Sequence, residues 1–266
     1  MEIGVTIERA LELAGEVTIP RATEEIPLSS AHNRVLANPL TALTDDPPFN
    51  NSAMDGWAVR ASDCTSDSIC LKIVGSGQAG GAISPPVGEG EAARVMTGAE
   101  VPFGADAIVM IEDSESDGQV VRITGPARPH YIRRRGENLS KGDQALSMGS
   151  QLTPARLALA ATMGHQTVPV VVPPKVAVIG TGNELVPPGE PLAAGQLWES
   201  NTFALGALLH RLGCACIRYP LVTDDLDALK TTFDTAAEDC DVIITSGGVS
   251  MGDWDLVRRL METEGD

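Results

Sequence analysis

Ile243-Ile244-Thr245-Ser246-Gly247-Gly248-Val249-Ser250-Met251-Gly252-Asp253-Trp254-Asp255 is the stretch on which the fold turns. Residues 242–245 form a near-continuous apolar run, the signature of a strand buried on both faces. The run empties into a segment with three glycines and two serines, followed by an acidic helix start at Asp253. Ligands of open parallel sheets bind outside the carboxyl ends of the strands. Glycines there let a backbone approach an oxyanion, and a helix N-terminus turns unpaired N–H groups toward it. The segment is neither G-x-G-x-x-G nor a Walker A loop, since no Lys follows the last glycine. A tight turn with Asp253 as a helix N-terminal charge is the plainer alternative.

Working back toward the N-terminus, the same pattern recurs. Residues 176–179 are a second buried apolar run. Residues 203–212 place Leu205, Leu208, Leu209 and Leu212 in helical register. Residues 216–221 read as a strand, and Leu226, Leu229, Lys230, Phe233 and Ala237 mark another helix. Strand and helix alternate on short connections, which predicts a three-layer α/β domain with a parallel sheet over 175–266. Each strand ends in Gly, hydroxyl or carboxylate groups: Gly180-Thr181-Gly182-Asn183-Glu184, Thr223-Asp224-Asp225, and the segment after Thr245. Parallel strands put these ends on one edge. Carboxylates beside a phosphate-ready backbone suggest Mg²⁺ between protein and phosphate. Glu184 and Asp224 are the candidate ligands; Asp225 reads more simply as a helix cap.

Val172-Pro173-Pro174-Lys175 separates this domain from a different pattern. Residues 47–139 are rich in Gly, Pro, Val and Ile in short runs, with expected strands at 69–74, 107–111 and 119–123 and a turn at Ser116-Asp117-Gly118. This predicts a small β domain. Helices are expected at 6–15, behind a cap at Thr6, at 30–36, and from Pro154 through Leu157, Ala158, Ala161 and Thr162. The helices at 6–15 and 153–163 flank the β pattern. The expected organisation is therefore a discontinuous helical and linker domain, 1–46 with 140–174, an inserted β domain, 47–139, and the α/β domain. In the β domain, Asn50–Ala58 and Arg94–Ala99 are turns or ligand loops. Arg133-Arg134-Arg135-Gly136-Glu137-Asn138 is the only basic cluster, a solvated run or an anion-steering patch.

Composition excludes several classes. The 266 residues carry 19 Lys and Arg against 36 Asp and Glu, a formal charge of −17, which argues against nucleic acid or an anionic membrane as a general partner. Aromatic residues are 3%, too few for stacking platforms. No stretch reaches the roughly 18 apolar residues of a membrane span, and the N-terminus lacks the pattern of a secretory signal. The five cysteines are odd in number without a C-x-x-C pair, and with four histidines they give no zinc spacing. A reduced, cytoplasmic compartment is the expectation.

Read together, NNSAMDGWAVR, RVMTGAEVPFGADAIVMIED, RRRGENL, VIGTGNEL, ESNTFALGALL, VTDDLDALK and ITSGGVSMGDWDLV, in this order, closely resemble the molybdopterin molybdenumtransferase family (bacterial MoeA and the gephyrin E domain). The resemblance covers essentially the whole chain. It implies insertion of molybdate into adenylylated molybdopterin with release of AMP, dependent on Mg²⁺. It further implies an elongated homodimer in which the β domain of one subunit approaches the α/β domain of the other, and a molybdopterin adenylyltransferase as substrate donor. By motif matching it assigns Asp55, Thr97, Glu184, Asp224 and Asp255 to catalysis. Asn201, Gly247, Gly248 and Ser250 fall beside the pterin phosphate, and Glu184 and Asp224 on the metal.

Two departures stand out. Asn138 occupies a position where the family commonly has an acidic residue; an amide keeps the hydrogen-bonding shape and loses the charge. The family also continues past the point matching Asp266 into a K-P-G-K-P-like segment and a further β domain with anion-binding basic residues. The α/β domain is thus expected to be incomplete at its C-terminus, and a pterin-binding or scaffold fragment is the alternative to an active enzyme.

Overall fold

A computed structural model describes residues 5–17, 21–66, 68–247 and 256–264. The described chain falls into two compact units. One comprises Pro27–His32 and Asn38–Val168; the other comprises the chain up to Ile26, Asn33–Ala37 and the chain from Pro169 onward.

The first of these, the β unit, is built on a six-stranded sheet. Its strands are β1 (Gly56–Val59), β2 (Ile69–Gly77), β3 (Glu91–Val95), β4 (Ala107–Met110), β5 (Ser114–Ser116) and β6 (Val120–Ile123), in the spatial order β4-β1-β3-β2-β6-β5. Only the β2–β3 pair is parallel. Strand β1 is buried throughout because it lies between β3 and β4. Its two-residue period sends Trp57 and Val59 to one core with Leu71, Val109 and Val121. Ala58 goes to the other, with Ala93, Val95 and Ile108. Gly56 has no alternative, since a Cβ there would land on the Val109 carbonyl oxygen. Helix α2 (Pro154–Thr162) belongs to this unit and is capped by Thr153. Of the expected face only Leu157 is partly covered, and burial centres on Ala160 and Met163.

The α/β unit contains three parallel strands, β7 (Lys175–Gly180), β8 (Ala215–Arg218) and β9 (Val242–Ser246), in the order β8-β7-β9. Central β7 divides its side chains between two helical layers. Val176 and Val178 pack with Leu205 and Leu209 of α3 (Asn201–Arg211). Ala177 and Ile179 pack with Leu229 and Ala236 of α4 (Leu226–Asp239) and with Val257 and Leu260 of α5 (Leu256–Glu264). Two helical layers around a parallel sheet give the three-layer architecture expected from the apolar runs.

Two local expectations are corrected. Residues 30–36 are not a helix: a 3₁₀ turn covers Leu28–Ser30, Asn33 takes φ +62°, and Leu36 bridges Val170 as in a strand. A left-handed Asn halts helical propagation. Strand β8 stops at Arg218, before Pro220, rather than running to 221. Helix α1 (Ile7–Glu16) forms behind its Thr6 cap as expected and buries none of its residues.

Candidate functional site

In the β unit, β1 and β3 are antiparallel with Gly56 opposite Val95. The residue before β1 and the turn after β3 therefore emerge at the same end of the sheet. There the Thr97 N–H donates to Asp55 Oδ1 at 2.7 Å and the Thr97 hydroxyl donates to the same oxygen at 3.0 Å. Gly98 takes φ +81°, which lets the turn close. The Thr97 amide, then its hydroxyl, and then the nearby Arg94 charge hold the Asp55 carboxyl below its ordinary pKa. Asp55 is thus an exposed anion with one oxygen committed to Thr97. Arg94 secures the base of the turn by donating to the Gly56 and Val95 carbonyls at 2.7 and 3.2 Å, with its guanidinium 5.6 Å from the centre of the Trp57 ring.

In the α/β unit the strand ends are cross-tied. Thr181 bridges Val222, and the Gly182 N–H donates to the Val222 carbonyl at 3.2 Å. Asn183 and Asp224 clamp each other. The Asn183 N–H donates to Asp224 Oδ2 at 3.2 Å, and the Asp224 N–H donates to Asn183 Oδ1 at 3.1 Å. Glu184 folds back over Gly182, where a Cβ would lie 2.5 Å from Glu184 Oε2. Its exposed carboxylate has no ion-pair or hydrogen-bond partner among the described residues. Asp225 accepts from the Ala228 N–H at 2.8 Å and caps α4, the simpler of its two readings.

Asn201, the first residue of α3, donates from Nδ2 to Ser246 Oγ at 2.8 Å at the end of β9. Gly247 follows with φ +111°, placed so that a Cβ would lie 2.6 Å from the Thr181 carbonyl oxygen. Glu184, Asp224, Asn201 and Gly247 therefore share the carboxyl edge of the parallel sheet, while Asp55 and Thr97 form a pair in the β unit. Gly248, Ser250 and Asp255 lie outside the described residues.

The donors at the sheet edge are hard oxygens, but they are few. Among the described residues no group of three or more His, Cys, Asp or Glu comes together to hold a metal. Mg²⁺ commonly binds through one or two carboxylates and completes its octahedron with phosphate and water. Glu184 and Asp224 fit that mode, with a phosphate-bearing ligand supplying further oxygens.

Several contributors escaped the sequence reading. Buried Glu199 accepts from the Thr202 N–H at 2.6 Å and from its hydroxyl at 2.7 Å, fixing the start of α3 and so Asn201. The signal available was Glu three residues before Thr at a helix start, a capping box in reverse. Asn183 as the clamp on Asp224 had no sequence signal, because its partner is 41 residues away. One member of the basic cluster is fastened: the Arg135 guanidinium pairs with Asp45, and the Arg135 backbone N–H donates to Asn50 Oδ1 at 2.9 Å. Asn138 donates from Nδ2 to Asp46 Oδ2 at 3.1 Å, a bond that an ionised carboxylate at 138 is unable to make. The five cysteines are all free, and burial raises the thiol pKa of Cys64, Cys216 and Cys240.

Comparison with known proteins supplies the context. Residues 5–164 match the MoeA N-terminal region (domain I and II), and residues 177–266 match a probable molybdopterin binding domain. A molybdopterin molybdenumtransferase from Haemophilus influenzae is 37% identical over 264 residues, covering 98% of this chain and 65% of that protein. Molybdopterin molybdenumtransferase 2 from Mycobacterium tuberculosis is 40% identical over 238 residues, covering 88% of this chain and 59% of that protein. A solved structure of the molybdopterin biosynthesis MoeA protein from Pyrococcus horikoshii superposes with a TM-score of 0.82 at 33% identity, covering 90% of this chain and 65% of that one. The chain thus spans about three fifths to two thirds of the length of the relatives it matches. Among the described residues no helix is long and apolar enough to cross a membrane.

Proposed function

The chain belongs to the molybdopterin molybdenumtransferase family, and from that premise we propose that it inserts molybdenum from molybdate into adenylylated molybdopterin, releasing AMP. The observation that carries this reading is the convergence at the carboxyl edge of β7 and β9. Two exposed carboxylates stand there beside the Asn201–Ser246 contact and the Gly247 turn.

In this reading Glu184 and Asp224 hold Mg²⁺, with Asp224 kept in place by Asn183. When bound, the ion polarises the phosphoanhydride and neutralises charge on the departing AMP. Asn201, Gly247, Gly248 and Ser250 position the pterin phosphate, and Asp255 completes the acidic set. Asp55 acts as a fixed anion. Thr97 occupies its Oδ1, so Oδ2 accepts a hydrogen bond from a substrate donor and orients it. Asp55 and Thr97 lie in the proposed inserted domain, 47–139, and the remaining site residues in 175–266.

Two further parts belong to the proposal. The first is a homodimer in which the β domain of one chain serves the α/β domain of its partner. The apolar stripe on α1, with Ile7 77% and Leu11 68% exposed, is a surface that such an assembly would cover. The second is a cytoplasmic setting, supported by the free cysteines, with a molybdopterin adenylyltransferase as substrate donor.

The test mixes the chain with adenylylated molybdopterin, molybdate and Mg²⁺ and measures AMP. Release that requires both molybdate and Mg²⁺ is the expected result. Pterin binding without AMP release would instead favour a chain that binds and does not turn over.

A further inference from the structure

Charge is spread unevenly along the α/β unit. None of the chain's 36 Asp and Glu residues falls within 200–223, although the formal charge of the whole is −17. That stretch comprises α3, β8 and the loop after it, and it carries His210, Arg211 and Arg218. Glu199, the acid just before it, is buried and accepts from Thr202.

Strand β8 is also an open edge. The Ala215 N–H donates to the Pro174 carbonyl at 2.9 Å and the Tyr219 N–H to the Val178 carbonyl at 3.0 Å. The odd-numbered residues of β8 therefore turn their backbone toward β7, and Cys216 and Arg218 turn theirs away. On that outer side no strand pairs with β8 among the described residues.

Native edges are commonly guarded by a charged side chain held out over them. Arg218 lies back on α3 instead. Its guanidinium carbon is 3.6 Å from the centre of the Phe203 ring, and a Cβ on Gly206 would lie 3.3 Å from the Arg218 Cδ. Gly206, of a residue type that weakens helix interiors, thus makes room for the Arg218 stem. The guanidinium has no ion-pair or hydrogen-bond partner among the described residues. Stacking occupies one face of the plane and leaves the in-plane N–H donors for a carboxylate.

The two faces of β8 ask for different neighbours. Ile217, 39% exposed, projects opposite to Arg218. A segment laid along the edge sets alternate residues beside Arg218 on one face and beside Ile217 on the other. An acidic residue suits the first position and a β-branched apolar residue the second. A second copy of β8 reads Ala-Cys-Ile-Arg and brings no carboxylate to Arg218.

We propose that the open edge of β8 docks an acidic, extended segment of a partner protein, which adds to the sheet as a further strand. Cys216 and Arg218 exchange backbone hydrogen bonds with the segment. The Arg218 side chain takes one of its carboxylates, and Ile217 packs against its apolar side chains. His210, on the same helical face as Phe203 and Gly206, continues the acid-free surface along the strand.

The experiment follows the fluorescence anisotropy of a labelled, blocked peptide of about eight residues alternating Glu and Val, titrated with the full 266-residue chain. Saturable binding is expected, weaker at high salt and weakened about tenfold by Arg218→Gln. A peptide of the same length alternating Lys and Val is expected not to bind. Two further Glu-Val peptides are N-methylated on alternate residues, one in each phase, so that charge is kept while one side of the backbone is blocked. One phase is expected to lose binding and the other to keep it. This comparison uses the unaltered chain and carries the test if Arg218→Gln does not fold. Four results would overturn the proposal. The first two are no binding of the Glu-Val peptide and unchanged affinity in folded Arg218→Gln. The third is equal binding of both N-methylated phases, which would mean that charge alone attracts the peptide. The fourth is a dimer in sedimentation that Ile217→Lys abolishes, which would make a second copy the occupant.

Discussion

The Asp55 end of the β sheet and the carboxyl edge of the parallel sheet both expose carboxylates, yet they hold them in opposite ways. Asp55 receives two hydrogen bonds from Thr97 and is an anion set in place by its own chain. Glu184 has no partner among the described residues, and Asp224 is held through a backbone N–H and the Asn183 amide. A carboxylate held by its own chain is preorganised for orientation; an exposed one left open stays hydrated and is free to take a cation. The first arrangement suits positioning of substrate, and the second suits recruitment of a metal with its phosphate.

The sharpest way to break this contrast is at Asp224. Asp224→Ala removes one of two proposed Mg²⁺ ligands and half of the clamp with Asn183. AMP release is expected to fall about 100-fold or more, with a higher Mg²⁺ concentration needed to recover any of it. Its neighbour provides the control. Asp225→Ala removes the α4 cap and is expected to lower stability by about 1 kcal/mol while leaving turnover at saturating substrate unchanged. Equal loss of activity in both variants would show that the edge matters only as scaffold.

The two regions were also unequally legible in the sequence. The parallel sheet announced itself through apolar runs at 176–179 and 242–245, Thr6 and Asp225 cap helices where their residue types suggested, and Pro154 opens α2. Those signals are local. The Asp55–Thr97 pair spans 42 residues and exists only because Gly56 registers against Val95. The loops could be flagged as polar and Gly-rich, but their contact follows from strand pairing that no short window encodes. Asn33 shows the converse failure. The stretch around it is helix-compatible in composition, yet its left-handed backbone turns the chain toward Val170. The open edge of β8 was equally invisible, because an unpaired edge is a property of the assembled sheet.

A smaller effect tests the preorganised side of the contrast. Thr97→Val deletes the hydroxyl donor to Asp55 and keeps the backbone donor. The folded-state pKa of Asp55 is lowered, so its contribution to stability is present above the ordinary carboxylate value and is lost as pH falls below it through the folded value. Losing the hydroxyl moves the folded pKa part of the way back up. Carboxyl-carbon NMR should record that rise, while AMP release falls about tenfold for want of an oriented anion. A pKa that stays put would mean that the amide of Thr97 alone fixes Asp55, and the hydroxyl would then be free to meet substrate directly.

The smallest expected effect asks whether the β unit's other acidic groups are also satisfied from within. Asn138 donates to Asp46, and Arg135 pairs with Asp45, so the Asp45-Asp46 segment and the turn at 133–138 bind each other through complementary groups. Asn138→Asp replaces the donor with a second carboxylate. Both side chains are at or near the surface, where water and salt screen the repulsion. Stability at neutral pH is therefore expected to drop by less than about 1 kcal/mol, with a lower midpoint of thermal unfolding. The sign with salt follows from the charges: the deficit is largest at low ionic strength and shrinks as salt screens the two carboxylates. Asn138→Ala, which removes the bond without adding charge, should show a deficit that is nearly flat with salt. If the two variants trace the same salt dependence, repulsion plays no part, and the amide at 138 serves only as a hydrogen-bond donor that water can replace.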